Sequence, residues 1–121
     1  MNIFKWLFGK KDADMSSSIN PTEQAVLVHL NGTDLPDEIY DKFDLFTLED
    51  KLISVIESTG VGEFDGNEIG PTGATLYMYG RDAERLFEAI EKTLSDYPLC
   101  QGARVVIRYG GPGSDERIVT L

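Results

Sequence analysis

From Glu23 onward the apolar positions fall into two periods. Over Ala25 to Leu30, Val26, Val28 and Leu30 alternate with Leu27 and His29, and Asn31-Gly32 follows. That two-residue period, closed by a turn pair, predicts a strand. Residues 33–44 read as a loop with a short helical turn over Pro36 to Lys42. Leu48, Leu52, Val55 and Ile56 then recur at helical spacing. They predict a helix capped by Thr47, acidic in its first turn at Glu49 and Asp50, and stopped near Thr59 by a left-handed Gly60. Val61 to Ile69 reads as a strand that Asp65-Gly66 could bulge, and Gly70-Pro71-Thr72-Gly73 as a turn. Ala74 to Tyr79 is a strand by its β-branched and aromatic content. Ala83, Leu86, Phe87, Ile90, Leu94 and Tyr97 trace the clearest helix. It leaves Glu84, Glu88, Glu91 and Lys92 to water, with Glu88 and Lys92 spaced to pair, and ends before Pro98. Ala103 to Tyr109 and Glu116 to Leu121 are the last two strands, joined by a loop over Gly110 to Asp115.

The predicted order is β-α-β-β-α-β-β. Short connections and βαβ handedness would place both helices on one face of an antiparallel sheet. The expectation is therefore an α+β, two-layer ferredoxin-like sandwich with a C-terminal edge strand. It occupies residues 23–121, after a flexible segment and linker at 1–22. Within that segment, Ile3, Phe4, Leu7 and Phe8 would share one helical face with Trp6 at its edge. The apolar run is far shorter than the ~20 residues of a membrane span, which leaves an interfacial contact, a frayed tail or a short helix docked on the body. Ser16-Ser17-Ser18 and Asn20-Pro21 give the linker its composition, and Met15 is a candidate second start.

Composition narrows the function classes. The chain has 121 residues, 21 acidic and 11 basic, with a formal net charge of −10. Phosphate-backbone binding needs a cationic surface, so nucleic acid is disfavoured and a basic protein partner is favoured. One cysteine, Cys100, excludes an intramolecular disulfide and fits a reducing bacterial cytoplasm.

The strings V-G-E-F-D-G-N-E-I-G (61–70), L-Y-M-Y-G (76–80) and I-R-Y-G-G-P-G (107–113) resemble those of a family of small uncharacterised bacterial proteins. The resemblance implies a ferredoxin-like fold and attaches no activity or site residues.

Two constellations are candidates for function. Asp34, Asp37, Glu38, Asp41, Asp44, Glu49 and Asp50 stand against Lys42 alone and interleave with Ile39, Tyr40, Phe43 and Phe46; Asp37, Glu38, Tyr40, Asp41, Phe43 and Asp44 are the candidate contacts. Acid with aromatics suits a protein-interaction site of the acidic inhibitor or immunity type, because charge speeds encounter and aromatics anchor. The alternative is the uncovered sheet face. Alternation would bring His29, Tyr77, Tyr79, Arg104 and Arg108 together there, for a small ligand, RNA or a second copy of the chain. Glu63, Asp65, Asn67 and Glu68 offer oxygen ligands without EF-hand spacing. Gly110-Gly111-Pro112-Gly113 lacks the Lys-Ser/Thr of a phosphate loop. No cofactor is implied. His29 is the lone histidine and no nucleophile elbow or Cys-His motif is present. The sequence therefore tilts toward a binding domain rather than an enzyme.

Overall fold

The computed structural model describes residues 23–121. The expectations for residues 1–22, namely the linker, the amphipathic 3–8 segment and the Met15 start, lie outside the described residues. The elements are β1 (Gln24–Asn31), α1 (Asp37–Lys42), α2 (Leu45–Thr59), β2 (Glu63–Ile69), β3 (Gly73–Gly80), α3 (Ala83–Asp96), a 3-10 turn over Pro98–Cys100, β4 (Arg104–Arg108) and β5 (Glu116–Thr120). Among the described residues the fold is α+β, with three α-helices and an open five-stranded sheet in the order β2-β3-β1-β4-β5. Every neighbouring pair is antiparallel. Among the described residues no helix is long and apolar enough to cross a membrane.

The core lies between the sheet and the two long helices. Val26 and Val28 of β1, Leu76 and Met78 of β3, and Val105 and Ile107 of β4 are fully buried against Leu48, Leu52 and Ile56 of α2 and Leu86, Ile90 and Leu94 of α3. Each of these larger side chains contributes about 1.5–3 kcal/mol by leaving water, an upper value because unfolded chains are themselves partly compact. Asp82 caps α3, its carboxylate accepting from the amides of Glu84 and Arg85. Gly60 ends α2 at φ 69° with its amide bonded to the Ile56 carbonyl.

Three local expectations need correction. Helix α2 begins at Leu45, with Asp44 rather than Thr47 in the capping position. Asp44 is held extended, and its carbonyl accepts from the Tyr97 hydroxyl at 2.7 Å. Strand β2 begins at Glu63 rather than Val61. Gly62 lies so close to β3 that a Cβ there would stand 2.1 Å from the Tyr79 carbonyl oxygen. Lys92 pairs with Asp96 at 2.8 Å instead of Glu88, reaching toward the negative end of the α3 dipole. The bulge expected at Asp65-Gly66 is present: Phe64 faces Met78 while Gly66 faces Tyr77, so Asp65 is the extra residue. The bulge shifts the alternation: Glu63 and Glu68 share the open face, whereas Asn67, opposite Leu76, turns into the core. The proposed oxygen-ligand strip is therefore split between two faces. Among the described residues no three His, Cys, Asp or Glu side chains converge to hold a metal.

The β4–β5 connection is the hairpin expected of Gly110 to Asp115. The Tyr109 amide bonds to the Asp115 carbonyl, the Ser114 amide to that of Gly111, and Gly113 takes φ 93°. Strand β5 is tied to α3 through Arg117. Its guanidinium makes two bonds to the Glu84 carboxylate, at 2.7 and 3.0 Å, and lies 5.9 Å from the Phe87 ring centroid. Tyr109 donates to the same carboxylate.

Candidate functional site

The acidic segment forms one wall of a groove at the Asn31 end of β1. Leu30, Tyr40, Phe43, Leu45, Phe46, Ile69, Pro71, Ala74 and Leu99 line it, together with Asp44. It encloses about 380 Å³. Backbone passes close beneath it. A Cβ on Gly73 would lie 2.2 Å from the Leu30 carbonyl oxygen, so only glycine fits there.

The predicted residues divide into two roles. Asp37, Glu38, Asp41 and Asp44 are exposed, and Glu38 has Lys42 at 4.0 Å. Tyr40 and Phe43 are half-buried supports. The Tyr40 hydroxyl donates to the Asn31 carbonyl and accepts from the Leu35 amide, each at 3.0 Å, pinning the loop across its own width. Phe43 packs edge-on against Tyr97, with centroids 5.6 Å apart and rings at 82°. The free aromatic is Phe46, 41% exposed on the groove rim. Sequence reasoning counted Phe46 among the aromatics interleaved with acid but could not separate it from Tyr40 and Phe43, whose holding partners are tertiary. Nor could it foresee that the β2–β3 turn joins the same groove, since that pairing is long-range. The signal available was Pro71 within Gly70-Pro71-Thr72-Gly73, a stiff apolar turn.

The open sheet face gathers its predicted residues in three rows. Glu63, Tyr79, Ala25, Arg108 and Glu116 form the first; Gly66, Tyr77, Leu27, Val106 and Ile118 the second; Glu68, Thr75, His29, Arg104 and Thr120 the third. All five candidates therefore share this face, but the row of Tyr77 and Leu27 separates the His29–Arg104 pair from Tyr79 and Arg108. His29 Nδ1 lies 2.9 Å from the Thr75 hydroxyl. Burial, then the positive Arg104 beside it, holds the imidazole below its ordinary 6.5. Tyr77 donates to Glu68 at 2.9 Å. Burial and that carboxylate push its phenol up to about 12. Arg108 stands opposite Glu116 and donates at 3.0 Å to the Gly110 carbonyl.

A third cleft, of about 480 Å³, includes Arg81 and Arg85 at the start of α3. Its helix amides are already satisfied by Asp82 and by the Gln24 side chain, which accepts from the Ala83 amide at 2.8 Å, and Glu23, Glu63 and Asp82 share the lining. An anion would find the donors taken and carboxylates adjacent. Cys100 is buried, and desolvation pushes its thiol up to about 12, far from the thiolate chemistry a nucleophile needs. Comparison with protein-family models, curated proteins and solved structures finds no match to this chain.

Proposed function

We propose that this domain is a protein-interaction module whose groove takes a basic, apolar-anchored segment of another protein. The observation that carries the reading is an apolar groove lined by an exposed Phe46 and by Asp44, with Asp37, Glu38 and Asp41 exposed on the helix α1 that leads into it. Apolar anchoring supplies affinity at a small interface, and rim charge supplies encounter rate and selectivity for a cationic partner. We further read the strand order β4-β1-β3-β2, antiparallel throughout and with helices packed on one side, as a ferredoxin-like arrangement extended by β5; the order and the one-sided packing support that reading. The sheet face is less suited to RNA or a small anion, because Glu116 stands opposite Arg108, Glu63 and Glu68 lie on the same face and Glu68 engages Tyr77.

A photo-crosslinking residue at position 46 tests the groove in cells, with position 91 on α3 as control. One protein should be captured from position 46 alone, and the yield should fall when Asp37, Asp41 and Asp44 become Asn. With the purified partner, Phe46→Ala should weaken binding by about 2 kcal/mol, roughly 30-fold, as an anchoring aromatic does. Equal capture at both positions, or capture indifferent to the charge removal, would overturn the reading.

A further inference from the structure

The sheet face opposite the helices carries an apolar row of Tyr77, Leu27, Val106 and Ile118, running across four adjacent strands. Both long helices pack on the other side, and no described element covers this row. Yet exposure along it is uneven. Ile118, on the edge strand, is 50% exposed, whereas Val106 beside it is 7% exposed. Acidic residues sit at both margins of the face: Glu63 and Glu68 on β2, and Glu116 on β5.

The chain itself contains a complementary segment. Residues 3–8 read I-F-K-W-L-F, and Lys5, Lys10 and Lys11 are three of the chain's 11 basic residues, with none of its 21 acidic ones before Asp12. At helical spacing Ile3, Phe4, Leu7 and Phe8 make one apolar strip with Trp6 at its edge. Residues 9–22 separate this segment from Glu23, which precedes central strand β1. An extended chain of that length reaches roughly 45–50 Å, more than enough to fold back over a sheet built on a strand of eight residues. A tether of this kind gives the segment an effective concentration on the order of millimolar, which places it ahead of a free second copy.

We propose that residues 3–8 dock in cis on the open sheet face, over Tyr77, Leu27, Val106 and Ile118, with their lysines toward the marginal glutamates. The contact completes a third layer on the sheet and withholds this face from other partners. It rests on the face alone and stands or falls separately from the groove.

Trp6 is the single tryptophan of the chain, so its fluorescence reports the segment directly. In the full-length protein its emission should be blue-shifted and protected from acrylamide, and neither property should change with protein concentration. Ile118→Lys, at an exposed edge position, and Val106→Lys should each red-shift the emission and raise the quenching constant several-fold, while far-UV circular dichroism stays native. Phe46→Lys, in the groove, should leave both unchanged. Emission already red and fully quenchable in the native protein would overturn the proposal. So would shielding lost on Phe46→Lys but kept on Ile118→Lys, which would put the segment in the groove. Shielding that grows with protein concentration would mean a second copy covers the face. Shielding that develops only with anionic phospholipid vesicles would mean the segment serves a membrane surface; either result would refute docking in cis.

Discussion

Replacing Glu49 by leucine should cost far more than its half-exposed position on α2 suggests. Asn67 is 2% exposed on the core side of β2, and its amide nitrogen donates to the Glu49 carboxylate. Its amide oxygen has no hydrogen-bond partner. The carboxylate is thus the one group that keeps the amide from being wholly unsatisfied, and a buried orphaned polar group costs about 1–3 kcal/mol. Glu49→Leu should therefore destabilise the domain by about 2 kcal/mol, a fall in Tm of roughly 10 °C for a domain of this size. Asn67→Leu should cost less. It loses one charge-assisted bond but removes the stranded oxygen and adds about 1.5–3 kcal/mol of apolar burial. The double variant should be at least as stable as the parent, since removing both polar partners removes the penalty with the bond. Urea melts of all four proteins close the cycle. If Glu49→Leu alone melts with the parent, Asn67 is satisfied in some other way and the reasoning fails. The pH dependence gives a second reading. Burial, outweighing the bond from Asn67, raises Glu49 above its ordinary 4.5. The native state then binds this proton more readily than the unfolded one, so the contribution of Glu49 to stability grows as pH falls from neutral toward 4.5. Glu49→Leu should abolish that rise.

Glu84 titrates in the opposite sense. Its bonds from Arg117 and Tyr109 hold the carboxyl at about 2, below its ordinary 4.5, so its support for the β5–α3 tie is present above pH 4.5 and lost as pH falls toward 2. Melts of Glu84→Gln and parent should converge across that window, and a constant gap down to pH 2 would refute the assignment. Cys100 should resist a thiol reagent in the native protein and react stoichiometrically in denaturant; fast native labelling would show that the site opens. His29, as the lone histidine, gives a clean NMR titration with its midpoint below 6.5, and Arg104→Ala should move that midpoint upward, because the neighbouring positive charge is the second cause of the shift. An unmoved midpoint would remove Arg104 from the account.

What was legible in the sequence was what local period decides. Helix α3 follows its apolar stripe from Ala83 to Leu94, and the inward sets of β1, β3 and β4 follow two-residue alternation without exception. The errors fall where a distant partner overrules a local rule. Thr47 is a sound capping residue by type, but the Tyr97 hydroxyl, 53 residues away along the chain, fixes Asp44 as the helix boundary. Tyr40 and Phe43 read as binding aromatics because interleaving with acid is visible, whereas the Asn31 carbonyl, Leu35 amide and Tyr97 ring that hold them are tertiary facts. Phe46 and the turn at Pro71 line a groove that no window of the sequence contains.

The bulge at Asp65 also governs how this chain can change in length. Phe64 opposite Met78 and Gly66 opposite Tyr77 are successive rungs of the ladder with one residue between them on β2 alone. Excising Asp65 would leave those rungs consecutive and keep Asn67 inward and Glu68 outward. Deleting a residue elsewhere in β2 would turn part of the strand over. A shorter version of this sequence, natural or engineered, should therefore lose its residue at position 65, and with it the local kink, while both faces of the sheet keep their present side chains.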